Sequence, residues 1–198
     1  MVYVGSYDNN LYALNASTGA KLWQFTAGNP VFSSPAVANG MVYFGSWDNN
    51  IYAVNASTGA LVWRFATGNT VFSSPAVANG MVYVGSDDNN LYALDASTGV
   101  KIWQFTAGYV VYSSPAVANG VVYVGADDNN LYAFDASTGV KLWQFTTPNG
   151  AYVESSPAVA NGVVYVGSDL NNVYAFSLPN GPAQESQGHN PADPSLKK

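Results

Sequence analysis

A block of about 40 residues is written four times in succession, and a partial fifth copy follows. Val2–Met41 and Val42–Met81 agree at 30 of 40 positions. The copies restart at Val2, Val42, Val82 and Val122, and the partial one at Val164. A fixed period of this length marks a repeat architecture. One unit is too small to bury its own apolar face, so neighbouring units must stack on each other. What one unit can be therefore decides what the whole chain can be.

Each unit reads as four short strands. In the second copy these are expected at Val42–Gly45, Asn50–Val54, Leu61–Phe65 and Ser73–Val77. Val, Ile, Tyr, Phe and Trp dominate these runs, as strands prefer. Turn residues stand between them: Asp48-Asn49, Ser57-Thr58-Gly59, Thr67-Gly68-Asn69 and Asn79-Gly80. Asn-Gly is the strongest short hairpin signal, because both residues tolerate positive φ. No segment has a helical period. Leu11-Tyr12-Ala13-Leu14 is apolar at every position, which a strand shows when both faces of its sheet are covered. Small antiparallel sheets stacked face to face around an axis meet that demand. The expected fold is all-β: a β-propeller of four-stranded antiparallel blades, with four full repeats plus a partial fifth.

The run Ala13-Leu14-Asn15-Ala16-Ser17-Thr18-Gly19, followed by Trp23, returns at Ala53 to Trp63, Ala93 to Trp103 and Ala133 to Trp143. In this it resembles the tryptophan-docking repeats of the pyrroloquinoline-quinone-like (PQQ-like) β-propeller family, over about residues 1–178. Asn15, Asn55, Asp95 and Asp135 suit acceptance of backbone N–H bonds within the turn. Gly19, Gly59, Gly99 and Gly139 suit a positive φ. The resemblance implies that Trp23, Trp63, Trp103 and Trp143 bury against the neighbouring blade, stabilising it by ~4–6 kcal/mol at most. It also implies that Ser-Ser-Pro-Ala-Val is the innermost strand. The chain then opens on the second strand of a blade and ends on the third. Either the innermost strand near Ser155 to Val159 joins the opening strands and closes a four-bladed ring, or five blades form and both terminal ones are incomplete. An open arc exposes an apolar blade face and calls for pairing in trans. Residues 179–198 lose the pattern and read as a polar tail rich in Pro, Gln and Ser. Met1 falls in register with Met41 and Met81, so it suits an internal methionine of a longer array as well as a start. No signal peptide is expected here, since the first strand begins at Val2.

Composition removes several functions. Net charge is −6, with only 6 Lys and Arg, which is unsuited to nucleic acid or to an anionic membrane surface. No apolar run is long enough for a membrane-spanning helix, so no membrane insertion is expected. There is no cysteine and one histidine, His189 in the tail, so thiolate chemistry and His-based catalysis in the repeats are excluded. Asp8, Asp48, Asp88 and Asp128 occupy the turn after the second strand, with Asp87 and Asp127 beside two of them. They lack the ligand spacing of a calcium loop and are expected to serve the turn. Quinone enzymes with this repeat also use a calcium site, a catalytic carboxylate and cationic contacts to the cofactor. None of these can be placed here, so no cofactor and no metal are expected, and no catalytic residue is assigned.

Phe32, Phe72, Tyr112 and Tyr152 precede the innermost strand in successive units, where packing is expected. Tyr7 and Trp47 stand in a polar turn and are the expected exposed pair, able to stack on a sugar face. Asn15-Ala16-Ser17 and Asn55-Ala56-Ser57 match the glycosylation sequon, but Asp95 and Asp135 at the same place point to turn chemistry instead. Near-identical surfaces repeated about an axis suit multivalent binding and suit catalysis poorly. The expected function is thus a non-enzymatic scaffold for protein interaction or self-association, extracellular or at the cell envelope. A carbohydrate-binding propeller and a degenerate quinoprotein are the alternatives.

Overall fold

The computed structural model describes residues 1–177 and contains eighteen strands in five antiparallel sheets. The expected tail at 179–198, with His189, lies outside the described residues. The first sheet holds β1 (Val2–Gly5), β2 (Asn10–Leu14) and β3 (Lys21–Thr26). The second holds β4 (Ala36–Ala38), β5 (Met41–Gly45), β6 (Asn50–Asn55) and β7 (Leu61–Ala66). The third holds β8 (Ala76–Ala78), β9 (Met81–Gly85), β10 (Asn90–Asp95) and β11 (Lys101–Thr106). The fourth holds β12 (Ala116–Ala118), β13 (Val121–Ala126), β14 (Asn130–Asp135) and β15 (Lys141–Thr146). The last holds β16 (Ala158–Ala160), β17 (Val163–Ser168) and β18 (Asn172–Ser177).

Five blades therefore form; among the described residues the first has no inner strand and the last no outer one. The four-bladed closure does not occur: β16 pairs with β17 in its own sheet. Each blade is a meander because each connection is short. The inner hairpin turns on Asn79-Gly80, at φ 51° and 76°, the mirror-image turn that matches strand twist. The inner strands β4, β8, β12 and β16 lie side by side along the axis.

These inner strands are shorter than the expected Ser73–Val77 run. Pro75 has no N–H to give, so the ladder begins only after it. The serines before the proline bond instead through their side chains. Ser73 Oγ donates to Ser113 O at 3.0 Å, and Ser113 Oγ to Ser155 O at 3.0 Å. Ser34, Ser74 and Ser114 N–H groups donate to Ser74, Ser114 and Ser156 Oγ in turn. A polar ladder thus joins blades around the axis, while apolar faces join them farther out. Val42, Phe44, Tyr52 and Val54 of one blade, for example, pack on Leu11, Val31 and Phe25 of the preceding one.

Candidate functional site

Chemistry-bearing side chains gather in two places: at the joints between blades and at one mouth of the axis. At the joints, Trp23 Nε1 donates to Ala56 O at 3.1 Å, Trp63 to Ala96 O at 2.9 Å and Trp103 to Ala136 O at 3.0 Å. Each acceptor belongs to the next blade. The same carbonyls accept the hydroxyls of Tyr3, Tyr43 and Tyr83, at 2.9, 3.1 and 3.0 Å. These tyrosines were not anticipated, although their 40-residue spacing is as strict as that of the tryptophans. The indoles rest on Gly59, Gly99 and Gly139; a Cβ on Gly99 would stand 2.7 Å from the Trp63 ring. Gly19 has the same positive φ, yet nothing lies within 4 Å of where its Cβ would be, because no Trp of the described residues docks on it. Trp143 packs against Tyr123 and Phe176, with ring centroids 5.9 and 5.5 Å away.

The turns bearing these glycines are held by Asn15, Asn55, Asp95 and Asp135. Asp95 Oδ1 accepts the Ser97 and Thr98 hydroxyls and both of their N–H groups. Those bonds, the Ser97 hydroxyl first, hold its carboxyl at about 2, and Asp135 is held there in the same way. The carboxylates of the opposite turns are also spent on structure. Asp48 accepts the Gly28 N–H at 2.7 Å, the Tyr52 hydroxyl at 2.7 Å and the Asn50 N–H at 3.1 Å. Asp88 and Asp128 repeat this arrangement. Their oxygens are committed to donors, as turn chemistry requires.

The mouth is formed where these turns meet the segments leading into the inner strands. There Trp47, Asp87, Asp127 and Asp169 each donate their backbone N–H to that segment, at Pro30, Thr70, Val110 and Tyr152 O. Their positions, with Tyr7, are equivalent in the repeat. A second equivalent series lies just inside it: Phe32, Phe72, Tyr112 and Glu154. The expectation that Tyr152 continues this series is corrected. A single turn at Pro148–Gly150 absorbs the two-residue insertion, so Val153 takes the buried place of Val31, Val71 and Val111. Ser155 then meets Gly167 as Ser113 meets Gly125, which leaves Glu154 in the register of Tyr112.

The two series change character together around the axis. The first blades contribute rings. Phe32 stacks on Trp47 at 5.8 Å and meets Phe72 at 5.6 Å, Trp47 and Phe72 are 4.8 Å apart, and Phe72 meets Tyr112 at 5.3 Å. Tyr7 touches Phe32 and Trp47 edge-on. Tyr7 is exposed as expected; Trp47 is not, because three aromatic rings cover it. The later blades contribute carboxylates. Thr70 donates its hydroxyl to Asp87 Oδ2, whereas Val110 in the equivalent place gives Asp127 no such donor. Burial, then the charges of Glu154, Asp169, Asp87 and Asp128, push the Asp127 carboxyl up to about 7. The cations of the described residues, Lys21, Arg64, Lys101 and Lys141, all stand on the outer strands β3, β7, β11 and β15. The arrangement does not fit an acidic quinone cofactor, which needs cations at the axis and would meet carboxylates there.

Stacked four-stranded blades with inner strands along one axis define a β-propeller arc. The chain belongs to the PQQ-like repeat family whose model, described as outer membrane protein assembly factor BamB, matches residues 1–73 and 48–191. Among solved structures, BamB from Moraxella catarrhalis superposes with a TM-score of 0.79 at 19% identity, covering 91% of this chain and 56% of that protein. The computationally designed Ika8 protein superposes with a TM-score of 0.80 at 18% identity, covering 89% of this chain and 55% of that one. The chain thus spans little more than half of either structure. No curated protein matches it in sequence. No helix of the described residues is long and apolar enough to cross a membrane.

Proposed function

We propose that the chain is a non-catalytic β-propeller scaffold for protein–protein interaction at the cell envelope. Its terminal blade faces are covered by further blades, which a second copy supplies to the 198-residue chain. One observation carries this reading: repeat-equivalent residues are buried inside the arc and bare at its ends. Val42, Val82 and Val122 are 0% exposed, and Val2 is 49% exposed. Leu131 is 0% exposed, and Val173 in its place is 76% exposed. Tyr123 is 1% exposed, and Tyr165 is 42% exposed. The two bare faces are the two halves of the joint that recurs inside the arc, so they are complementary to each other. A head-to-tail contact between copies repeats that joint. Contiguous apolar faces of this kind mark association surfaces.

The envelope location is supported by the family description and by the fold shared with an outer membrane assembly factor. The lack of catalysis is supported by near-identical units and by the commitment of Asp48, Asp88 and Asp128 to turn donors. Val173→Lys and Val4→Lys, each at an exposed position, test the reading by sedimentation velocity. Both variants are expected to shift the chain toward a single copy while keeping the parent's circular dichroism spectrum. An unchanged sedimentation coefficient for both sinks assembly through these faces. A carbohydrate-binding role rests on the exposed rings of Tyr7 and Phe32 alone, and a glycan array on which the parent binds nothing removes it.

A further inference from the structure

Inside the arc most charged groups are satisfied, which makes the acidic half of the mouth stand apart. Asp127 is 7% exposed, and its Oδ1 has no hydrogen-bond partner among the protein groups. Asp87 Oδ1 is also buried and unpartnered. A buried carboxylate oxygen without a donor is costly, and natural proteins keep few such groups. Asp127 feels Glu154, Asp169, Asp87 and Asp128, all of one sign. The same negative charges of Asp87, Asp127 and Glu154 act on Tyr112, whose ring adjoins Phe72. The acidic arc is thus continuous with the aromatic one. On the aromatic side the Trp47 Nε1–H is likewise buried without an acceptor. No side-chain cation of the described residues is among the charges that act on Asp87 or Asp127; all four lie on the outer strands, away from the axis.

We propose that this mouth docks a lysine- or arginine-bearing segment of a partner protein. The cationic head lies among Asp87, Asp127 and Glu154, and apolar neighbours lie against Phe32, Trp47 and Phe72. The inference rests on the scaffold reading and names the partner's chemistry. A positive head supplies the donors that the orphaned carboxylate oxygens lack and cancels the like-charge repulsion there. Aromatic faces next to carboxylates also suit a guanidinium, which stacks as well as pairs. A metal ion fits less well: among the described residues no group of three or more His, Cys, Asp or Glu side chains is placed to hold one.

The test uses a short fluorescent peptide alternating arginine and leucine, and a counterpart with glutamate for arginine, read by anisotropy against the full chain. The arginine peptide is expected to bind, more weakly as salt rises, and the glutamate peptide not to bind. Asp127→Asn is expected to weaken binding at least about tenfold, and Glu154→Gln to act in the same direction. Asp127→Asn removes repulsion, so it does not threaten the fold. Asp95→Asn is the control: it lies at the opposite end, and Asn15 and Asn55 already hold its place. It is expected to leave affinity unchanged. Equal affinity of the parent and Asp127→Asn, equal loss in Asp95→Asn, or equal binding of the glutamate peptide overturns the proposal. Sedimentation of the same samples separates the two readings. A chain that assembles but does not bind the peptide loses the mouth assignment alone, and a single-copy chain that binds it loses only assembly through the end faces.

Discussion

Gly19 and Gly99 occupy the same turn of different blades, at φ 70° and 72°, and differ in what lies over them. Replacing either with alanine forces a side chain into left-handed backbone, at about 1–2 kcal/mol. At Gly19 the cost stops there, because its Cβ would meet open space. At Gly99 the Cβ would stand 2.7 Å from Trp63 Cδ2 and 2.8 Å from Cε3, ring atoms on a rigid side chain. The indole must shift. That strains or breaks its 2.9 Å bond to Ala96 O, worth about 1 kcal/mol. It also disturbs the packing of a Trp that is 93% buried, adding about 1–3 kcal/mol of overpacking. Gly19→Ala is therefore expected to lose about 1–2 kcal/mol and Gly99→Ala about 3–6 kcal/mol. Urea unfolding followed by circular dichroism and tryptophan fluorescence, at a concentration where one chain is present, measures both. Losses within about 0.5 kcal/mol of each other would refute the idea that the docked indole, and not the turn, holds the joint.

Three further outcomes follow from the same structure. Asp127 titrates at about 7 in the fold and near 3.9 when unfolded, so the folded state binds more protons between these values. Stability is expected to fall as pH rises from about 4 to about 7, by about 1–2 kcal/mol after solvent screening, and Asp127→Asn to flatten that slope in melting scans. Asp95 and Asp135, held at about 2, act in the opposite sense: their contribution is present above about pH 4 and is lost as the pH falls through about 2. Ser73→Ala is expected to cost about 2–4 kcal/mol in urea unfolding, because it orphans the buried Gly85 N–H and Ser113 O.

Much of the fold was legible because it is local and repeated. The strand runs, the Asn-Gly hairpins and the φ-positive glycines are dictated by residue type and seen four times over. The joint was legible for the same reason, as a glycine and a tryptophan at fixed spacing. Closure was not, because two pairings of the inner strand near Ser155 satisfy the same local pattern. The mouth was only half legible. Tyr7 and Trp47 were found as outliers in a polar turn, but a single exposed ring and a covered one look alike in sequence. The two-residue insertion hid the equivalence of Glu154 with Tyr112, and so hid the change from rings to carboxylates around the axis. The serine ladder was concealed for another reason: Ser73 and Ser74 read as strand residues, whereas Pro75 hands their bonding to the hydroxyls.

The mass of the chain in solution, from light scattering behind size exclusion, tests the central claim most directly. Bare blade faces that match the interior joint predict a discrete species of two or more copies, at a multiple of 20.8 kDa, that dissociates on dilution. A monodisperse species of 20.8 kDa that persists as the protein is concentrated contradicts it.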